Sequence, residues 1–123
     1  MKEALTKFAK EVYLNACEKG FHDADASRSV VDSYAVWMVN LHGEVSELWE
    51  AARNGVLTHP CDKAKKMSEL GIPSITYEEE ELADIIIRAL DTAAARGIDI
   101  GKAVEAKHEF NKTRPHKHGG KLA

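Results

Sequence analysis

Apolar residues recur with a helical period along most of the chain. In the first segment Leu5, Phe8, Ala9, Val12 and Ala16 share one face, and Lys2, Glu3, Lys7, Lys10, Glu11 and Glu18 cover much of the rest. The spacing predicts an amphipathic helix that stops at Gly20. A polar stretch at 21–27 follows, in which Asp25 or Ser27 can cap the next helix. That second helix is predicted over about 28–54, with Tyr34, Trp37, Met38, Leu41, Val45 and Leu48 as its apolar stripe. Gly55 suits the left-handed position just past its end. Gly43 lies inside it, where glycine costs about 1 kcal/mol relative to alanine but permits close approach of another backbone or a ligand.

The pattern weakens over 56–75, where Pro60, Gly71 and Pro73 interrupt it and Lys63, Lys65 and Lys66 form a basic cluster. One short helix near 62–69 is compatible with this stretch, which is otherwise expected to be a mobile loop or lid, because loops this long are uncommon unless functional or disordered. Thr76 and Glu79 have capping-box spacing and open a third helix. Glu78, Glu79 and Glu80 read as a solvated first turn favoured by the helix dipole. Leu82, Ile85, Ile86, Ala89, Leu90 and Ala93 form the predicted core stripe, and Arg96 and Gly97 end the helix. Asp99 can cap a fourth helix with Ala103, Val104 and Phe110 on its inner face, stopped by Pro115. Residues 115–123 read as a flexible basic tail. Residues 74–77 are the nearest approach to a strand. The expected architecture is all-α, one domain over 1–123 built as a four-helix bundle.

Length and charge narrow the function classes. A chain of 123 residues has room for one core and buries a modest share of its surface, so oligomerisation would help it. A net charge of −3 gives no electrostatic case for a nucleic-acid polymer as partner. Cys17 and Cys61 match no zinc spacing and read as reduced thiols. With no signal-peptide pattern and no apolar run of membrane-spanning length, the expectation is a cytoplasmic protein without a membrane partner.

The chemistry resides in paired acids. Glu44 and Glu47 stand three apart on the second helix, and Glu81 and Asp84 three apart on the third. Residues so spaced project from one side of a helix, so each pair is a two-carboxylate claw beside an apolar stripe. If the two helices pack together, the claws can face each other. Four carboxylates at a bundle interior require compensation, and a hard cation with oxygen preference, such as Mg²⁺, offers it. Arg88 follows Asp84 by four residues, which fits an intrahelical salt bridge or a place near phosphate. On the last helix Lys107, Asn111 and Arg114, with Lys112 nearby, either hold phosphate oxygens or complement the helix dipole. A di-iron carboxylate bundle would pair glutamate with histidine at i+3, and Glu44, Glu47 and Glu81 lack that partner.

The ordered pair Glu44-Val45-Ser46-Glu47 and Glu81-Leu82-Ala83-Asp84, followed by the ending FNKTRPHKHGGK, resembles the MazG-like all-α nucleoside triphosphate pyrophosphohydrolases. The matched parts cover roughly 37–54 and 78–121. The resemblance implies a four-helix core assembled as a homodimer or homotetramer. It implies hydrolysis of a nucleoside triphosphate to monophosphate and pyrophosphate with Mg²⁺, for which Mn²⁺ could substitute, and a house-cleaning role in the nucleotide pool. Carried over by position, Glu44, Glu47, Glu81 and Asp84 would be the metal ligands, and Lys107, Asn111, Lys112 and Arg114 would lie near the phosphates. Many relatives carry an acid immediately before the first motif glutamate, where this chain has Gly43 preceded by His42. The water-activating group could then be His42 or a motif glutamate, Glu44 or Glu47. Trp37 or Tyr34 either stacks on the base or belongs to the core. The alternative is a helical interaction module that binds nucleotide or metal without turnover, which Gly43 favours.

Overall fold

The computed structural model describes residues 1–117. They form α1 (Lys2–Glu18), a 3-10 turn (Asp25–Ser27), α2 (Val30–Arg53), a short α3 (Ala64–Glu69), α4 (Tyr77–Ala95) and α5 (Ile100–Lys112). Among the described residues the extended structure is a single isolated bridge between Pro60 and Thr76. No helix among them is long and apolar enough to cross a membrane. The end of the basic tail, 118–123, lies outside the described residues.

Local chemistry sets the boundaries. Thr76 caps α4 by accepting from the Glu79 N–H, while the Glu79 carboxylate accepts from the Thr76 N–H. Asp99 caps α5 through the Lys102 N–H, and Gly55 takes φ +70° just after α2. The cap of α2 differs from expectation. It is Ser29, which accepts from the Asp32 N–H. Asp25, one of the expected caps, is engaged by the ring of His22 instead.

The segment joining α2 to α4 is folded back rather than extended as a free lid. The Cys61 N–H donates to the Ile75 carbonyl at 2.9 Å, and the Tyr77 N–H to that of His59 at 3.0 Å. These bonds fix the start of α3 against the first turn of α4 and bring Lys63 to Glu80.

Helix α4 is central, packing on α2 and α1 and touching α5, while α5 lies mainly on α1. The junction of α5 with α1 is tight. A Cβ at Gly101 would fall 1.8 Å from the Lys2 carbonyl oxygen. Thr6 Oγ1 accepts from the Gly101 N–H at 2.9 Å and donates to Asp99 at 2.7 Å. This is where backbone approach demands glycine. At Gly43 an added Cβ would meet nothing within 4 Å, so within the chain no close approach explains that glycine.

The single chain has a thin core. Among the described residues the buried apolar ones are Ala9, Ala51, Cys61, Ala64, Leu90 and Ala93, and no large side chain is fully buried. All four expected core stripes are therefore partly exposed, Phe8 on α1 included. Val45 on α2, Leu82 and Ile86 on α4, and Val104 and Phe110 on α5 all face solvent. Ala103 is exposed too. Packing settles this: α2 is held chiefly by α4, and no helix among the described residues covers the outer flanks of α2 and α5.

Candidate metal centre

Helices α2 and α4 bring two halves of the acidic pattern together. One carboxylate oxygen from each of Glu44, Glu81 and Asp84 lies within 4.8 Å of the other two. Glu44 comes from the middle of α2, and Glu81 and Asp84 from one side of the first half of α4. Glu81 is only 7% exposed. Glu47, a turn after Glu44, is solvent-exposed and stands near enough for its charge to act on Glu81.

The electrostatics of the cluster are unfavourable to its own charge. Burial first, then the Glu47 contact and the charges of Glu47, Glu80 and Asp84, push Glu81 up to about 7. Burial, with the charges of Asp84 and Glu47, raises Glu44 against the opposing effect of Arg88. Burial, followed by the Glu80 charge, raises Asp84. Glu44 Oε2 and Glu81 Oε2 are buried without a hydrogen-bond partner. Leaving such oxygens unpaired is costly. A hard cation suits an all-carboxylate donor set of this kind, so the residues present fit a divalent ion.

Arg88 is the cation the chain itself supplies. Its Nη2 and Nε donate to one oxygen, Glu44 Oε1, at 3.3 and 3.4 Å. The salt bridge thus runs between α4 and α2 rather than within α4 to Asp84. Glu80 also departs from its expected solvated place. It is 7% exposed, and Lys63, which also holds Asp62, donates to it. Glu80 and Lys63 are the residues that sequence reasoning missed here, since their meeting depends on how the 56–75 segment folds. Cys61, Asp62 and Glu80 form a second group of potential ligands, but the Lys63 ammonium already bridges its two acids.

Beside the cluster is a cavity of about 460 Å³ between α1 and α4, with Glu44, Asp84 and Arg88 on its wall. Phe8, Glu11, Asn15 and Phe21 complete it from the side of α1 and the following turn. The Arg88 guanidinium sits 6.0 Å from the centre of the Phe21 ring. Trp37 does not line this cavity. It belongs to an aromatic group with Tyr34 and His22, centroids 5.4 and 6.0 Å away. His42 is exposed on α2.

Lys107, Asn111 and Lys112 of α5 and Arg114 just after it are not brought to the carboxylates among the described residues. Lys107 lies over the Phe110 ring at 5.0 Å, with Arg114 at 6.0 Å. Lys112 pairs with Glu109 at 2.9 Å. Lys107 and Asn111 line a separate shallow surface pocket.

A second acidic group was illegible in the sequence. His22, its side chain 5% exposed, uses Nδ1 toward Asp25 and Nε2 toward both oxygens of Asp91, at 2.8 and 3.0 Å. Its burial opposes protonation, but the two aspartates outweigh it and raise its pKa above the ordinary 6.5.

Comparison with protein-family models, curated proteins and solved structures finds no match.

Proposed function

We propose that the chain is a Mg²⁺-dependent nucleoside triphosphate pyrophosphohydrolase of the MazG-like kind. The observation that carries this reading is the convergence of Glu44, Glu81 and Asp84 from two helices, with buried oxygens of Glu44 and Glu81 unpartnered beside an open cavity. The ordered acidic motifs and the resembling C-terminal sequence support it.

Glu44, Glu81 and Asp84 would hold the ion, with Glu47 beside Glu81. When bound, Mg²⁺ supplies charge neutralisation for the triphosphate and acidifies a water. The chain's own groups do the rest. Arg88 spends its contacts on one oxygen of Glu44, so donors of its guanidinium remain for a phosphate in the cavity. Glu47, exposed at the cluster edge, accepts the proton of the attacking water. That water adds to the α-phosphorus, the α–β bridging P–O bond breaks, and pyrophosphate leaves. His42 is a less favoured acceptor, since no hydrogen bond among the described residues ties it to the cluster.

The exposed apolar residues of α2, Val31, Val39 and Trp49, and of α4, Leu82 and Ile86, favour a homo-oligomer that covers them.

The test is a panel of canonical and modified NTPs and dNTPs incubated with Mg²⁺ and resolved for products. Monophosphate plus pyrophosphate is expected. Diphosphate plus phosphate would reject the assigned bond. Nucleotide or metal binding without product would favour the non-catalytic module, which glycine rather than an acid at position 43 favours.

A further inference from the structure

One acid on the cavity wall has no part in the chemistry above. Asp91 is engaged by His22, and Glu44 and Asp84 belong to the carboxylate cluster. Glu11 remains. Among the described residues, neither its carboxylate nor the Asn15 amide makes a side-chain hydrogen bond or ion pair. The two residues are four apart on α1, so they stand on one side of that helix, and both line the cavity. Phe8, on the same side, and Phe21 add aromatic surface to the same wall, although both rings are largely exposed, at 49% and 63%.

A site of this composition selects a flat, apolar-faced ligand with adjacent donors on its edge. A carboxylate accepts two parallel hydrogen bonds and donates none when ionised. Among the common bases, guanine alone presents two neighbouring donors, N1–H and the N2 amine, with an acceptor, O6, beside them. Adenine and cytosine present one amine each, next to acceptors that a carboxylate repels. Uracil and thymine present one N–H between two carbonyls.

We propose that the α1 side of the cavity is a guanine subsite. Glu11 accepts from N1–H and the N2 amine, Asn15 donates to O6, and the rings of Phe8 and Phe21 flank the base. The triphosphate then extends toward Arg88 and the carboxylate cluster. The proposal rests on the pyrophosphohydrolase reading and names its substrate class.

The experiment is calorimetric titration, with Mg²⁺ present, of the α,β-methylene analogues of guanosine, inosine and adenosine triphosphate, which cannot be cleaved at the assigned bond. Inosine keeps O6 and N1–H but lacks the N2 amine. The guanosine analogue is expected to bind roughly 10- to 100-fold more tightly than the other two, the range for a good bidentate contact to a base edge. Glu11→Gln is expected to remove most of that preference, and Asn15→Ala a smaller part. Equal affinities, no binding of any analogue at millimolar concentration, or a preference unchanged in Glu11→Gln would each overturn the subsite. Product analysis separates the two readings. Equal cleavage of all bases would leave the hydrolase and reject the subsite. Tight guanosine binding without cleavage of any triphosphate would keep the subsite and reject the hydrolase.

Discussion

Asp84 and Asp91 stand two helical turns apart on α4, and each is joined there by at least one other acid and by cationic side chains. At Asp91 the cation is His22, which reaches both Asp91 and Asp25 with its two ring nitrogens. One histidine between two aspartates satisfies most of the local oxygens and fastens the segment after α1 to α4. At Asp84 the nearby cations are Lys63 and Arg88; Lys63 is held by Glu80, and both hydrogen bonds of Arg88 go to one oxygen of Glu44. Among the described residues Glu81 receives no cation, and Glu44 and Glu81 each keep a buried oxygen unpartnered. The first arrangement leaves one oxygen, Asp25 Oδ1, without a hydrogen bond, but Arg28 stands 3.8 Å from it, so each aspartate has a cation and the group reads as a structural latch. The second is deficient in positive charge, which is the condition a metal site needs before its ion arrives.

The sharpest way to break this contrast is to neutralise one acid of the deficient cluster. Glu81→Gln is expected to abolish Mg²⁺-dependent turnover, a loss beyond roughly 10³-fold, as for removal of a group acting in a catalytic unit. The same substitution is expected to stabilise the metal-free fold above pH 7, on the order of 2–3 kcal/mol, because it removes a carboxylate whose ionisation the site resists. Denaturation of metal-free protein and turnover assays check the two signs. Lower stability with retained turnover would make Glu81 an ordinary structural residue.

The latch should respond in the opposite way. His22→Ala leaves Asp25 and Asp91 without their shared partner and is expected to cost about 3 kcal/mol in stability. Affinity for Mg²⁺ should stay within about threefold of wild type if the two clusters are independent. Chemical denaturation and a metal titration on the same variant test both parts.

The pattern of helices was legible because it is local. Thr76 with Glu79, Asp99 and Gly55 mark helix ends through residues a few positions apart, and the structure uses all of them. Contacts set by tertiary packing were not legible. Ser29 caps α2 because Asp25 is drawn to a histidine, and that choice involves Asp91, far along the chain. Glu80 is buried beside Lys63 because the 56–75 segment folds back through backbone bonds that no side-chain pattern announces. Spacing placed Glu44, Glu81 and Asp84 on helix faces able to meet. The same reasoning grouped Lys107, Asn111, Lys112 and Arg114 as a set, but a helical period says nothing of how far α5 lies from α2. Within the chain they share no contact with the carboxylates.

A smaller effect concerns pH. Glu81 titrates at about 7 in the fold against an ordinary 4.5, so folding favours its protonated form. Its contribution is greatest below pH 4.5 and declines as pH rises to about 7. His22, with a raised value, stabilises fully below its ordinary 6.5 and loses that contribution as pH rises through its folded value. Both groups have the same sign. Metal-free protein is expected to lose stability between pH 5 and 8, and Glu81→Gln should flatten the lower part of that decline. Melting temperatures across the range, with and without the substitution, measure it.

The most direct test of the account is a calorimetric Mg²⁺ titration of metal-free wild type and of Glu81→Gln, both shown by circular dichroism to be helical. Saturable binding in the wild type that disappears in Glu81→Gln is the expected result. Absence of binding in the wild type, or equal binding in both, would contradict the assignment of the α2–α4 carboxylates as a metal centre.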